Sequence, residues 1–415
     1  MGSLHLLRFG ALLLCTLHLV SAQTALPNCS YPAVYGFGDS LTDVGNGIAA
    51  FPEKFQHCEE DPYGVTFPMH AADRFTDGKM FIDFLAFGVR RRPTYAVLRG
   101  TAGDFTYGTN FAASGGPARP VKVWNSDDKF TTPFSLEVQQ QWFQRYKIRL
   151  WFYESPVYNP NGRLVQSLPK LANISASLYT VWAGYQDYFF SLYDKKLTVG
   201  QTLKIVPDVV KAIEEHIEKM LAVVEYTPPG FPSMLMPPAK EILIQNQLPL
   251  GCVPAMLTLY GGSKAKYDEY GCLSSLNKIS EAHNTLLGLK VEELRKKYPD
   301  AKLYYGDVYA VYTDILKEPA KYNVTAPLKA CCGVGGDYNF NKDVWCGQSG
   351  TVEGKFVNLT STYCADPVST LSWDGIHTSN TVNKALATAF LTGKHIYPEG
   401  GLKCNADFKF WEART

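Results

Sequence analysis

The chain has 415 residues, 46% hydrophobic and 19% charged, with 40 lysines and arginines against 39 acidic residues for a formal net charge of +1. That balance supplies no electrostatic footprint for nucleic acid or an anionic membrane surface, and the hydrophobic fraction is enough to bury a large core in one domain or two. No stretch reaches the roughly 20 apolar residues of a spanning helix.

The chain opens with Arg8 ahead of an apolar run that ends on Ser21 and Ala22. This is the pattern of a signal peptide, residues 1–22, and it predicts a secreted, soluble mature chain of residues 23–415. Removing the leader removes Cys15 and leaves nine cysteines: Cys29, Cys58, Cys252, Cys272, Cys331, Cys332, Cys346, Cys364 and Cys404. In an oxidising compartment most of these pair and one is left over, with Cys252–Cys272 the first pairing expected. No CxxC pair or HExxH helix accompanies them, so no metal site is expected. Sequons at Asn28, Asn173, Asn323 and Asn358 fit the same compartment.

Short apolar runs at 33–37, 178–182, 242–245 and 303–305 read as strands buried on both faces. Residues 48–75 read as a long irregular loop, and Arg90, Arg91 and Arg92 as a solvated patch. The segment "WFQRYKIRLWFY", 142–153, reads as a helix packing aromatics into the core, although the same rings could face a sugar or an acyl chain. Val206, Val210, Ile213, Ile217, Leu221 and Val224 recur at helical spacing, with Pro207 in the first turn and His216 on the charged surface of "EEHIEK". Leu276, Ile279, Leu287 and Leu294 mark another helix whose apolar face includes His283 as a core residue.

Residues 318–372 form a second long loop carrying most of the late cysteines. Its "CCGVGGDYN" lacks the GK[ST] of a phosphate loop. A last helix runs over 379–391. Without an internal repeat or linker, strands alternating with helices predict a single domain with long disulfide-bearing loops, built on a mainly parallel sheet covered on both sides.

Three segments could carry chemistry. "FGDSLTDVGN", 37–46, follows the first strand, so a sheet of this type would present Ser40 at a carboxyl-end cleft. A serine becomes a nucleophile only with a base and a group that orients the base. Of six histidines in the mature chain, His377 in "SWDGIHTSN" has Asp374 three residues before it, close enough through a glycine turn to fix the imidazole tautomer. Donors for an oxyanion could come from Gly115 in "GTNFAASGG" and from the amide of Gln186 in "AGYQD".

Together with "LPLGCVP", "YGC", "ACCG" and "WDGIH", these motifs resemble, in order and over 32–390, the GDSL esterase/lipase family of the SGNH hydrolase superfamily, in its secreted plant-type branch. The resemblance implies a three-layer α/β/α sandwich. It implies Ser40 as nucleophile, His377 as base and Asp374 as its orienting partner. It also implies an oxyanion hole from the backbone N–H groups of Ser40 and Gly115 and the side chain at 186. The third block of the family usually ends in Asn-Asp, whereas this chain has Gln186-Asp187; the longer side chain predicts a hole of altered geometry.

The expected reaction is ester hydrolysis through an acyl-enzyme, without metal or organic cofactor. The expected partners are extracellular esters: acetylated cell-wall polysaccharide, lipid or acylated metabolite. An acyltransferase with the same acyl-enzyme, and a sugar- or lipid-binding protein impaired by Gln186, are the alternatives. The motifs do not set the acyl length, the alcohol or the oligomeric state.

Overall fold

The computed structural model describes residues 26–408 except 28, 70–72, 100–102, 123–130, 163–166, 228–229 and 231–232. Residues 1–22, expected to be a leader, and Asn28 lie outside the described residues. The four buried runs are all strands of one seven-stranded sheet, built from β1 (Val34–Gly38), β2 (Tyr95–Ala96), β3 (Thr109–Asn110), β4 (Leu178–Trp182), β5 (Glu241–Gln245), β6 (Lys302–Gly306) and β7 (Ile396–Tyr397). Their order is β7-β6-β5-β4-β1-β3-β2. Every neighbouring pair is parallel except β7 on β6.

Parallel neighbours need crossovers, and helices supply most of them. The principal ones are α1 (Phe81–Gly88), α2 (Leu136–Glu154), α3 (Tyr185–Tyr193), α4 (Val206–Leu221), α5 (Ser274–Lys297), α6 (Val308–Lys317) and α7 (Asn380–Thr392). Helix α4 packs against α2 and α5, while α7 packs against α1 and α6. The sheet between these two groups makes the three-layer α/β/α sandwich. From β1 the chain runs to β2 and β3 on one side of it and then crosses to β4 on the other, so the carboxyl end of β1 lies at the topological switch point where such sheets bind ligands.

The core is rich in rings. Tyr35 stacks on Tyr179 and Phe37 on Phe111, both with centroids 5.0 Å apart, and Phe143 of α2 meets Phe37 edge-on at 5.6 Å. Phe143 and Tyr146 therefore carry the core role expected of 142–153, whereas Trp151, Phe152 and Tyr153 stay half-buried at the far end of the helix. His283 is fully buried, with Nδ1 2.8 Å from the Tyr188 hydroxyl.

Several expectations change. His216 is not on the surface: it is 2% exposed and meets Phe37 edge-on at 4.8 Å. Its acidic neighbours in sequence point to solvent, but position 216 shares the buried face with Val209, Ile213 and Met220. Helix α4 stops at Leu221, and Val224 belongs to a strand, Val224–Tyr226, paired antiparallel with Met234–Met236. The first long loop contains short helices at Asn46–Ala50 and Pro52–Phe55 and a 3-10 turn at Gln56–Glu59. The second contains four short strands, Ala326–Ala330, Ser349–Val352, Lys355–Asn358 and Thr370–Ser372. Arg90 and Arg92 are exposed, but Arg91 folds back to donate to the Pro32 carbonyl.

Four disulfides join Cys29–Cys404, Cys252–Cys272, Cys331–Cys364 and Cys332–Cys346, and Cys58 is the buried thiol left over. Among the sequons, Asn323 and Asn358 are exposed and Asn173 is half-buried. Among the described residues no helix is long and apolar enough to cross a membrane.

Candidate active site

The turn after β1 is built by its polar side chains. Gly38 leaves the strand with φ 145°, and a Cβ there would lie 1.9 Å from the Trp182 carbonyl oxygen, so only glycine lets β1 run beside β4 to its end. Gln139 of α2 caps that end twice: it accepts from the Gly38 N–H at 3.0 Å and donates to the Gly38 carbonyl at 2.8 Å. Asp43 then accepts five hydrogen bonds, from the N–H groups of Gly45, Asn46, Gly47 and Ser114 and from the Ser114 hydroxyl, all at 2.7–2.8 Å. Asn46 donates to the carbonyls of Asn110 and Ala112 at 2.9 and 2.7 Å. Asp43 and Asn46 thus fasten the segment after β3, which carries Gly115, against the turn that carries Ser40.

Ser40 Oγ lies 2.9 Å from His377 Nε2, and His377 Nδ1 lies 2.6 Å from Asp374 Oδ2. The structure brings these three residues into one line across 337 residues of chain. Asp374 Oδ1 accepts from the N–H groups of Ile376 and His377 at 2.9 and 2.8 Å, and the buried Tyr63 hydroxyl donates to Oδ2 at 2.9 Å. Burial pushes the Asp374 carboxyl up, but the facing His377 and these N–H donors outweigh it and hold the group below the usual carboxylate range. Phe75 stacks on the imidazole, ring centroids 4.8 Å apart. The histidine is therefore held at both nitrogens and on one face.

Ser40, Gly115, Gln186, Asp374 and His377 line one pocket with Phe55, His57, Tyr63, Phe75, Tyr185, Phe189, Trp345 and Ile376. Gly115 has φ 72°, and its carbonyl accepts from the Thr132 N–H at 2.8 Å, which fixes that peptide. Neither the Ser40 nor the Gly115 backbone N–H has an acceptor among the described residues. Gln186 stands two residues after Gly184, the left-handed residue that immediately precedes α3, and its N–H donates to Asp39 Oδ2 at 3.1 Å. Burial raises the Asp39 carboxyl to about 7. The next residue, Asp187, accepts from the Ala118 N–H at 2.6 Å and from Arg119 Nε at 2.8 Å. It ties the start of α3 to the Gly115 segment, so the three expected donors border one space.

Tyr63, Phe75, His57, Trp345 and Gln139 were not apparent from the sequence. Tyr63 meets Asp374 across 311 residues, and nothing in "DPYGVTFP" distinguishes it from any half-buried tyrosine of a loop. His57 had a weak signal, as one of only six histidines after residue 22.

Comparison with known proteins agrees with this geometry. The profile of the GDSL-like lipase/acylhydrolase family matches residues 34–390. A GDSL esterase/lipase of Arabidopsis thaliana is 31% identical over 373 residues, 89% of this chain and 90% of the relative. An esterase of Hevea brasiliensis is 30% identical over 383 residues, 92% and 90% of the two chains. A protein of Arabidopsis thaliana named alpha-L-fucosidase 3 is 30% identical over 371 residues, 89% and 93% of the two. With its motifs in family order and the family profile matched from the first strand into the last helix, the chain belongs to the GDSL-like lipase/acylhydrolase family of carboxylic ester hydrolases.

Proposed function

We propose that this secreted chain hydrolyses short-acyl carboxylic esters through an acyl-enzyme on Ser40. His377 Nε2 takes the Ser40 proton as Oγ attacks the ester carbonyl, and the imidazolium then protonates the departing alcohol. Water enters, gives its proton to the same nitrogen, and attacks the acyl carbon; Ser40 recovers its proton and the acid leaves. Asp374 keeps Nδ1 protonated, so that Nε2 is the basic nitrogen, and stabilises the imidazolium. The N–H groups of Ser40 and Gly115, with the Gln186 side-chain amide, receive the oxyanion, a role in which one lost donor costs on the order of 100- to 1,000-fold.

The observation that carries this reading is the hydrogen-bonded line from Ser40 through His377 to Asp374, opening on two N–H groups without acceptors. The free volume of the pocket, about 60 Å³, favours a short acyl group. It accommodates about four or five water-sized groups, an acetyl or butyryl rather than a palmitoyl chain. A glycosidase, as the name of one relative would suggest, usually needs two carboxyl groups flanking the bond. Asp374 is the one carboxylate lining the pocket among the described residues, and it already serves His377. Secretion is supported by the leader pattern and the four disulfides.

The test is hydrolysis of p-nitrophenyl esters from acetate to palmitate by the wild type, Ser40→Ala and Gln186→Asn. Cleavage of acetate and butyrate that Ser40→Ala abolishes is the expected result. Wild type and Ser40→Ala equally inert, with activity appearing in Gln186→Asn, would mean that the glutamine has disabled the hole and that the chain binds its ligand without turnover.

A further inference from the structure

A second, polar hollow adjoins the catalytic pocket, and the two share Lys54, His57 and Trp345 on their common wall. It offers about 380 Å³ against the 60 Å³ beside Ser40, so the larger part of a bound ester belongs outside the catalytic pocket. Beyond the shared wall, Glu53, Gln56 and Glu60 line one side and Lys342, Asp343 and Gln348 the other. These groups largely answer one another: Lys342 Nζ donates to both Asp343 oxygens at 2.8 and 2.6 Å, and the Gln56 amide donates to Glu60 at 2.6 Å. No single sign of charge prevails, which disfavours a polyanion. A long acyl chain laid here would strip water from carboxylates and ammonium groups without replacing their hydrogen bonds.

Trp345 is the aromatic group at this junction. It is half-buried, its Nε1 donates to the Lys342 carbonyl at 3.0 Å, its backbone N–H donates to Gln348 Oε1 at 3.2 Å, and Tyr193 meets it edge-on at 6.1 Å. An indole fixed in this way gives up little freedom when a ligand lies on it. The next residue, Cys346, is bonded to Cys332, whose N–H donates at 2.7 Å to the carbonyl of Trp373, the neighbour of Asp374. The disulfide therefore sets Trp345 in register with the catalytic line. His57 sits between the two spaces as a neutral imidazole, burial having lowered its pKa to about 4, with one N–H to give and one nitrogen to accept.

We infer that this hollow binds the alcohol half of the substrate as a neutral sugar chain, with Trp345 as the surface on which a sugar ring stacks and His57 facing a hydroxyl near the ester. The ligand chemistry required is that of a polyol: many weak donors and acceptors, no net charge, and an apolar ring face. The inference rests on the ester-hydrolase reading of the adjoining pocket, so it is tested both with and without turnover.

For binding, calorimetry uses the Ser40→Ala protein with acyl-free xylotetraose, cellotetraose and mannotetraose, and with tetragalacturonate as the charged comparator. For turnover, kcat/KM is measured on acetylated xylo-oligosaccharides and on p-nitrophenyl acetate, for wild type, Trp345→Ala and Trp345→Phe. At least one neutral tetrasaccharide should bind more tightly than the uronate. Trp345→Ala should lose about tenfold more efficiency on the acetylated oligosaccharide than on p-nitrophenyl acetate, mainly through KM, with Trp345→Phe recovering most of it. Equal losses on the two esters, or p-nitrophenyl acetate cleavage without binding of any neutral tetrasaccharide, would overturn the sugar assignment. Binding of a neutral tetrasaccharide, lost in Trp345→Ala, by a protein that cleaves no ester would sink the hydrolase reading and leave the sugar site standing.

Discussion

Asp374 accepts four hydrogen bonds, three from its own turn and the fourth from Tyr63. The three local bonds are made within residues 374–377, through the turn at Gly375 with φ 91°; the tyrosine is the contribution of the distant fold. A hydrogen bond to a charged group is worth about 1.5–3 kcal/mol. Tyr63→Phe leaves the ring in place and removes only that donor. If the bond helps hold Asp374 against His377, kcat on p-nitrophenyl acetate should fall by about one to two powers of ten with KM little changed. A kcat equal to wild type in a folded variant would make Tyr63 a packing residue alone. At this scale the sequence was most legible where the partners sit within one short segment, as Asp374 and His377 do. It was blind where one partner, such as Tyr63 or Trp345, arrives from a loop with no motif around it.

Between residues and fold stand the segments that Asp43 and Asp187 fasten together. Asp43 is fully acceptor in character, and Asn in its place would turn an NH2 group toward donors from two segments. Asp43→Asn should cost several kcal/mol, about 2–5 from the broken bonds and the donors left buried. Because Gly115 follows Ser114, kcat should fall further than KM rises. Urea unfolding, with single-substrate kinetics on the folded fraction, measures both effects; unchanged stability would mean that the turn holds itself without the carboxylate. The polar excess of "FGDSLTDVGN" is explained in the same way, since Ser40 needs neighbours that fix a second segment beside it. The strands β1, β4, β5 and β6 were readable as short apolar runs because the sheet is covered on both faces, and helices α4 and α5 were readable from helical spacing because each buries one face. The two-residue strands β2, β3 and β7 were not, since they are too short to show any period. His216 is buried, against expectation, because on a helix its environment follows Ile213 and Val209, three and seven residues before it, and not its acidic neighbours in sequence.

For the molecule as a whole, Cys29–Cys404 ties the two ends of the described chain across 375 residues, and replacing both cysteines by serine should cost about 2–5 kcal/mol in urea unfolding. Its response to acid includes contributions from buried groups that take no part in the proposed reaction. His216 and His283 are both buried deeply enough that their pKa values fall to about 3. Each remains neutral in the fold while the unfolded chain binds a proton near pH 6.5, so each contributes stability above that pH that is lost as the pH falls toward 3. The loss is about 1.4 kcal/mol per pH unit and per histidine, or about 2 kcal/mol at pH 5. Asp39 acts in the opposite sense. Its folded pKa of about 7 lies above the ordinary carboxylate value, so its contribution is present below that ordinary value and is lost as the pH rises through 7. The opposing slopes partly cancel in the wild type, and only a variant separates them. His216→Phe replaces the imidazole with a ring of similar shape against Phe37 and removes the protonation of that histidine alone. Its stability relative to wild type should therefore improve by about 2 kcal/mol between pH 7 and pH 5, whatever the substitution costs at pH 7. A difference that stays constant across that range would mean that His216 is reached by protons in the fold.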